Sequence, residues 1–232
     1  MVVACWSPKG GSGTTVVACG IAALLARAEP PAGALLVDLA GDAAAVLGVA
    51  DPSGPGLTEW LAAGADVGAS ALARLEVEAA PGLRLLAGHL AGAGARPGAG
   101  RAEALLEALS ADPRPVVVDC GTGTGGPGLA LAAGAQVSLL VLRPCYLGLR
   151  RALAAPLRPS GVVLVSEPGR SLGRRDVEEV LGVAVRAEVP VDDGIARAVD
   201  AGLLARRVPR PLERALRPIA GAGRGRAGRD AA

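Results

Sequence analysis

Residues 2–15 read VVACWSPKGGSGTT, and the architecture of the chain follows from them. This stretch joins a short apolar run to a glycine-rich loop and then to an apolar segment with helical spacing. Glycines permit a tight turn whose backbone N–H groups converge on one anion, and the N-terminus of a helix adds a favourable dipole. The stretch therefore predicts a buried strand, a phosphate-binding loop and the start of a helix. These residues alone leave a second interpretation open, a glycine-rich turn without a ligand.

The rest of the chain repeats the alternation of short apolar runs and longer helical segments. The predicted strands cover 2–5, 34–38, 83–87, 115–119, 137–142, 162–165 and 183–189. The predicted helices cover 15–27, 101–109, 129–133, 147–155, 174–181, 194–201 and 212–219. Strands that are apolar throughout are covered on both faces, and helical connections between them imply right-handed crossovers. We therefore expect a doubly wound, mostly parallel α/β sheet that binds ligands at the carboxyl ends of its strands.

The loop itself supplies the candidate ligand groups. Lys9 is the only lysine among the 24 basic residues of the chain, and its compact ammonium group suits a phosphate better than a guanidinium would. The predicted phosphate cradle consists of Gly10, Gly11, Ser12, Gly13 and Thr14. The hydroxyl of Thr15 is a candidate ligand of Mg²⁺. The loop does not match the strict G-x-x-x-x-G-K-[ST] motif, because Pro8 and Thr14 stand where the first Gly and the Lys of that motif would be.

This K-G-G-x-G-x-T pattern after a first strand resembles the deviant Walker A box of the ParA/MinD ATPases, a group of P-loop NTPases. Further matches follow in the order of that family. LLVDLAGD (residues 35–42) resembles its second strand and switch I, and VVVDCG (116–121) resembles its Walker B strand. VPVD (189–192) and RAVDAG (197–202) resemble its C-terminal region. Within the family, the chain is most similar to CpaE/TadZ-like and septum-site-determining-like members.

The resemblance assigns roles to individual residues. Lys9 would be the signature lysine, which reaches the phosphates bound by the partner subunit of a nucleotide-dependent homodimer. Residues 10–14 would cradle the phosphates of ATP or ADP. Thr15 would ligate Mg²⁺, and Asp119 would hold the ion through water. Asp38 and Asp42 are the carboxylates of switch I that, with Lys9, are candidates for a catalytic role.

Three departures from the family bear on its chemistry. Thr14 replaces the Walker lysine, and Ala40 replaces the second carboxylate of a D-x-D switch I. Phosphoryl transfer depends on positioning and on the neutralisation of developing charge, so we expect nucleotide to be bound but hydrolysed slowly or not at all. Residues 166–168 read SEP where the family often has the asparagine that reads adenine. The sequence therefore does not decide between adenine and guanine.

Composition sets the domain organisation. The 232 residues suit one nucleotide-binding domain, predicted over residues 1–220, followed by a basic Gly/Arg-rich tail, predicted to be disordered, over 221–232.

We expect a cytoplasmic protein, because no secretory signal and no apolar run long enough for a membrane span are present. His89 stands alone, and the four cysteines are dispersed, so a zinc site, an iron–sulfur cluster or a disulfide framework is not expected. The short amphipathic segment 212–219 favours a packed core helix over a membrane anchor.

Charge is unevenly distributed. Residues 1–142 carry 7 basic and 12 acidic side chains (net −5), and residues 143–232 carry 17 basic and 10 acidic ones (net +7). Nonspecific contact of the basic C-terminal part with DNA or an anionic membrane is therefore one prediction, and a solvated surface is its alternative.

The resemblance implies a spatial regulator that positions a pilus, secretion or cell-division machine through a protein partner, with recruitment to a pole, a septum or the inner membrane face. Two alternatives remain: an active DNA-partitioning ATPase, and an interaction module that no longer binds nucleotide.

Overall fold

The computed structural model describes residues 1–50, 54–64, 66–88, 100–123 and 125–222. The eight strands are β1 (Val2–Trp6), β2 (Ala34–Asp38), β3 (Glu76–Ala80), β4 (Leu83–Leu86), β5 (Val116–Asp119), β6 (Val137–Leu142), β7 (Gly161–Ser166) and β8 (Val185–Pro190). The α-helices of the described ranges are α1 (Thr14–Ala28), α2 (Ala43–Leu47), α3 (Leu57–Ala62), α4 (Leu72–Leu75), α5 (Arg101–Ala111), α6 (Gly126–Gly134), α7 (Tyr146–Leu153), α8 (Arg174–Leu181), α9 (Asp193–Asp200) and α10 (Arg210–Ala222). A 3₁₀ turn covers Ala69–Ala71.

The strands form one sheet in the order β3-β4-β2-β5-β1-β6-β7-β8. Every neighbouring pair is parallel except β3–β4, which is antiparallel. This confirms the predicted doubly wound, mostly parallel α/β fold. β1 and β5 lie at the centre and are buried along their whole length, because helices cover both faces of the sheet.

The two edge strands depart from the predicted pattern of continuous burial. β8 alternates buried and exposed residues, since an edge strand is covered less completely than a central one. β3 was not predicted, because its sequence EVEAA has no continuous apolar run. Its Glu76 carboxylate accepts a hydrogen bond from Arg114 at 2.8 Å, which fixes this edge strand to the loop before β5.

Helices pack on both faces of the sheet. One core is formed with α1, α2, α9 and α10, and the other with α3–α8. Leu212 and Leu216 of α10 are fully buried, and a Cβ at Gly20 of α1 would lie 2.8 Å from the Leu216 side chain. The interpretation of this segment as a core helix is therefore confirmed. Within the described ranges, no helix is long and apolar enough to cross a membrane.

The predicted bounds agree well with the long elements. β2, β6 and α8 have the predicted limits, whereas the short helices α2, α3 and α4 were missed. α10 extends to Ala222, two residues beyond the predicted domain boundary. The predicted surface loop near His89 and most of the predicted tail, residues 223–232, lie outside the described residues.

Candidate functional site

The predicted site residues lie at the carboxyl ends of three adjacent strands. In the sheet register Asp119 of β5 pairs with Cys5 of β1 on one side and with Asp38 of β2 on the other. The loops that follow these strands enclose a cavity of about 670 Å³, whose wall includes residues 10–16, 38–42 and 120–123. The structure thus brings together the phosphate loop and all three predicted aspartates.

The phosphate loop is built by glycines and two hydroxyls. Gly11 and Gly13 have φ angles of 75° and 86°, a conformation that other residues rarely adopt. The hydroxyls of Ser7 and Ser12 both donate to the backbone carbonyl of Lys9, at 2.8 and 3.1 Å. These bonds shape the loop without using the amides that follow.

The N-terminus of α1 is open towards the cavity. Gly13 is the N-cap, so no side chain caps the first turn, and the first amides of a helix have no partner inside it. A Cβ placed on Gly10 or Gly11 would meet no atom within 4 Å. The loop therefore leaves space and unpaired donors for an anion in front of a 15-residue helix.

Lys9 is half-buried, and its ammonium group has no hydrogen bond or ion pair among the described residues. The cavity wall contains residues 10–16 but not Lys9. Its ammonium group is thus uncommitted within the described part of the chain.

Thr14 and Thr15 differ in their surroundings. Thr14 is buried, with 7 % of its surface exposed. It supplies no charge at the position where the ParA/MinD motif has a lysine. Thr15 is half-buried and lies near Asp119, where its hydroxyl favours the charged form of that carboxyl group.

Asp119 is fully buried and only half satisfied. Its Oδ1 accepts a hydrogen bond from the Gly121 amide at 3.0 Å, whereas Oδ2 has no partner in the described part of the chain. Burial raises the pKa of Asp119 to about 6, and the charges of Asp38 and Asp42 add to the rise, although the Thr15 hydroxyl and the Gly121 amide oppose it. An unpaired carboxylate oxygen beside a threonine that lines the cavity is a donor set that fits Mg²⁺.

Asp38 differs from Asp119 in that both of its carboxylate oxygens accept hydrogen bonds. Its Oδ1 accepts from the amides of Ala40 and Gly41 at 2.9 and 2.7 Å, and its Oδ2 accepts from the amide of Ala43 at 2.9 Å. Burial raises the pKa of this carboxyl group, while the three amides act in the other direction. Asp38 therefore holds the turn before α2 with both of its oxygens.

Asp42 and Ala40 complete this loop. Asp42 is exposed at the start of α2, lines the cavity and caps no amide through its side chain. Ala40 faces the loop after β5, because its Cβ would lie 3.3 Å from a Cβ on Gly121. The position that lacks the second carboxylate is thus at the contact between the two loops.

One wall of the cavity is formed by a helix that was not predicted from the sequence. Leu57, Thr58 and Leu61 of α3 line it, but a six-residue helix is too short for periodicity to be recognised. A local signal was present, because the Glu59 carboxylate accepts from the Gly56 amide at 2.7 Å, as in the capping of a helix start.

The predicted base-reading position lies apart from the cavity wall. Glu167, after β7, accepts from Arg170 at 2.6 Å and lies 3.6 Å from Arg143. These ion pairs lower the pKa of Glu167, with the Arg170 hydrogen bond as the main cause. The end of β7 does reach the phosphate loop, since Val165 would lie 3.7 Å from a Cβ on Gly13.

Comparison with solved structures identifies the architecture. A ParA family ATPase from Chlorobium tepidum superposes with a TM-score of 0.77 at 20% identity, over 94% of this chain and 96% of that one. MinD from Pyrococcus horikoshii, complexed with Mg-ADP, gives 0.75 at 20% identity, over 94% and 93%. The MinC:MinD complex of Aquifex aeolicus gives 0.74 at 19%, over 97% and 95%.

The chain has the fold of the ParA and MinD ATPases. No protein-family model and no curated protein sequence matches it. The likeness to ParA and MinD is therefore one of backbone architecture, and the site residues carry the functional argument.

Proposed function

We propose that this protein is a Mg-nucleotide-dependent spatial regulator of the ParA/MinD type, in which ATP or ADP controls dimerisation. One observation carries the proposal: an uncapped phosphate loop lines the cavity, and its Thr15 lies beside a buried carboxylate oxygen, Oδ2 of Asp119, that has no hydrogen-bond partner in the described part of the chain. A glycine-rich turn without a ligand would have no use for either feature, because unpaired buried polar groups destabilise a fold.

Each residue of the site has a defined task in this proposal. The amides of residues 10–15 bind the phosphates, with the α1 dipole adding to the attraction. The Thr15 hydroxyl and the Asp119 carboxylate hold Mg²⁺, which when bound neutralises phosphate charge. Lys9, which is uncommitted within its own subunit, reaches the nucleotide of a second subunit and makes binding and dimerisation interdependent.

Hydrolysis is proposed to be slow or absent. Phosphoryl transfer needs a cation on the terminal phosphates and a group that orients the attacking water. Thr14 supplies no cation, and both Asp38 oxygens are occupied by backbone amides. Asp42 is then the carboxylate left to face the cavity from this loop, and it is the candidate for orienting water.

The positioning role rests on the relatives. One is a ParA family ATPase, another a septum site-determining protein, and a third a MinC:MinD cell division complex. By analogy we propose that the nucleotide-bound dimer recruits a protein partner and places a pilus, secretion or division machine at a cell pole, septum or inner membrane face from the cytoplasm.

The test is calorimetric titration of Mg-ATP and Mg-ADP into the wild-type protein and Lys9→Ala, with phosphate release measured in the same samples. We expect the wild type to bind and Lys9→Ala to bind at least about tenfold more weakly, the equivalent of losing one charge-assisted contact. Phosphate release should stay low in both. Arg175→Ala is the matched control, because it removes one exposed positive charge of α8, outside the cavity wall.

Other results would change the conclusion. Rapid, Lys9-dependent phosphate release would favour the active DNA-partitioning ATPase, and retention on DNA that falls steeply with salt would then support it. Absence of binding in both proteins would contradict the proposal and favour an interaction module without nucleotide.

A further inference from the structure

Arg101 carries a buried positive charge that no carboxylate neutralises. Its surface is 4% exposed, and in the described part of the chain its guanidinium group forms hydrogen bonds but no ion pair. A buried charge destabilises a fold unless hydrogen bonds replace the lost water. The groups that accept these hydrogen bonds therefore indicate what Arg101 does.

The guanidinium group of Arg101 holds the C-terminal end of α3. Its Nε and Nη2 both donate to the Trp60 carbonyl, at 3.2 and 2.8 Å, and its Nη1 donates to the Val67 carbonyl at 2.9 Å. The guanidinium carbon also lies 3.5 Å from the centroid of the Trp60 ring, in a cation–π contact. The Trp60 carbonyl belongs to the last turn of α3, where the helix dipole attracts a cation. One side chain thus joins the end of α3 and the segment after it to the first residue of α5.

Helix α3 forms the far wall of the cavity, on the side away from the phosphate loop. The phosphate loop follows β1, whereas the Leu57 amide of α3 donates at 2.9 Å to the carbonyl of Ala87, directly after β4. In the sheet, β5 and β2 separate these two strands, and three strand spacings amount to roughly 14 Å. Leu57 and Leu61 nevertheless line the same cavity as residues 10–16. The cavity therefore extends from the phosphate loop across two strand ends to α3.

The first turn of α3 lies close to the loop after β2. A Cβ on Gly88 would lie 2.4 Å from the Asp38 carbonyl oxygen and 3.6 Å from the Thr58 hydroxyl, so a glycine permits this approach. Residues 38–42 line the cavity too, and Asp42 among them is our candidate for orienting water at the terminal phosphate. The far wall therefore lies at the end of the cavity to which the proposed function assigns the terminal phosphate of ATP.

Helix α3 is too short to keep this position by itself. It has six residues, and isolated helices of that length are unstable in water. Its start is fixed by the hydrogen bond to Ala87 and by the Glu59 carboxylate, which accepts from the Gly56 amide at 2.7 Å. Its end is fixed by Arg101, and α5 in turn packs on α6. Arg101 therefore connects the far wall to the helical layer that covers this face of the sheet.

We propose that Arg101 is a positioning residue, which holds α3 in place so that the far wall discriminates ATP from ADP. The inference rests on the proposed function, because it concerns the same nucleotide. The phosphate loop binds the phosphates that ATP and ADP share, whereas the terminal phosphate of ATP extends towards the far wall. Arg101 is not among the described residues of the cavity wall, so it acts through α3 and touches neither nucleotide.

The test is calorimetric titration of Mg-ATP and Mg-ADP into the wild-type protein, Arg101→Met and Arg101→Lys. We expect Arg101→Met to bind Mg-ATP at least about tenfold more weakly than wild type, and Mg-ADP within about threefold of it. Arg101→Lys keeps the charge, but an ammonium group lacks the planar fork that reaches both carbonyls. Its affinity for Mg-ATP should therefore lie between those of wild type and Arg101→Met.

The matched control is Arg114→Met. Arg114 also uses its guanidinium group to join separate segments, since it donates to Glu76 at 2.8 Å and to Asp112 at 2.7 Å, and it is not among the described residues of the cavity wall. Arg114→Met should lower the free energy of unfolding, measured by urea denaturation, without changing the ratio of the Kd values for Mg-ATP and Mg-ADP. A purely structural role of Arg101 would give the same result.

The outcomes separate this inference from the proposed function. Equal weakening of both nucleotides in Arg101→Met, or no weakening of either, overturns the inference and leaves the proposed function intact. An equal change of the Kd ratio in Arg114→Met also overturns it, because the ratio would then follow stability alone. If Arg101→Met does not fold, the Kd ratio of Arg101→Lys decides in the same way. A wild-type protein that binds neither nucleotide overturns the proposed function and this inference together.

Discussion

Asp38 and Asp119 end neighbouring strands, are paired in register and are both fully buried, yet their surroundings differ. The loop after β2 directs three backbone amides at Asp38. The loop after β5 directs one amide at Asp119, and Oδ2 has no partner among the described residues. The comparison teaches that a buried carboxylate can serve either the fold or a ligand, and that its hydrogen bonds distinguish the two.

The largest expected effect is that of removing the satisfied carboxylate. Asp38→Ala leaves three amides of a buried turn without an acceptor, so we expect the free energy of unfolding to fall by about 4 kcal/mol. Urea denaturation measures it. Asp42→Ala is the control, because its exposed side chain caps nothing, and it should change stability by less than about 0.5 kcal/mol. Equal losses in both variants would contradict the assignment of Asp38 as the holder of this turn.

The next effect is that of removing the charge of the half-satisfied carboxylate. Burial raises the pKa of Asp119 from 3.8 to about 6, so the stability it contributes is present below about pH 4 and is lost as the pH rises through about 6. At pH 7.5 without Mg²⁺, the free energy of unfolding of Asp119→Asn should therefore be about 2–3 kcal/mol higher than that of the wild type. At pH 4 the two free energies of unfolding should be similar.

Thermal or urea unfolding across pH 4–8 checks this, with Asp42→Asn as the control. Because burial also raises the pKa of Asp38, the stability of Asp119→Asn should still depend partly on pH. If the free energies of unfolding of wild type and Asp119→Asn change with pH in the same way, the charge of Asp119 has no net cost in solution, and this prediction is wrong.

A further pair of substitutions tests the contact between the two loops and should have a more modest effect. Ala40 lies where they meet, so Ala40→Asp with Thr14→Lys restores a carboxylate and a cation to the cavity. We expect phosphate release to rise about tenfold or more, which corresponds to at least about 1.4 kcal/mol in the barrier. Thr14→Lys with Ala45→Asp is the control, since Ala45 is exposed on α2. Equal rates in both would mean that position 40 does not face the reacting groups.

Most of the sheet and the phosphate loop could be predicted from the sequence. Apolar runs such as residues 34–38 and 137–142 report burial on both faces, and Gly11 and Gly13 report backbone conformations that other residues avoid. The short helix α3 could not be predicted, because six residues give too little periodicity. The edge strand β3 was missed for a similar reason, since half-exposed residues carry a weak pattern.

The site shows the same division. The sequence by itself determined which groups are present: a single lysine in a glycine loop, Thr15, the aspartates at positions 38, 42 and 119, and the absence of a lysine at Thr14 and of a carboxylate at Ala40. Only the tertiary structure decided what each group does with its hydrogen-bonding capacity. It gave Asp38 three amides and left Asp119 Oδ2 unpaired within the described ranges. That outcome depends on where two neighbouring loops turn in space, and one-dimensional spacing does not encode it.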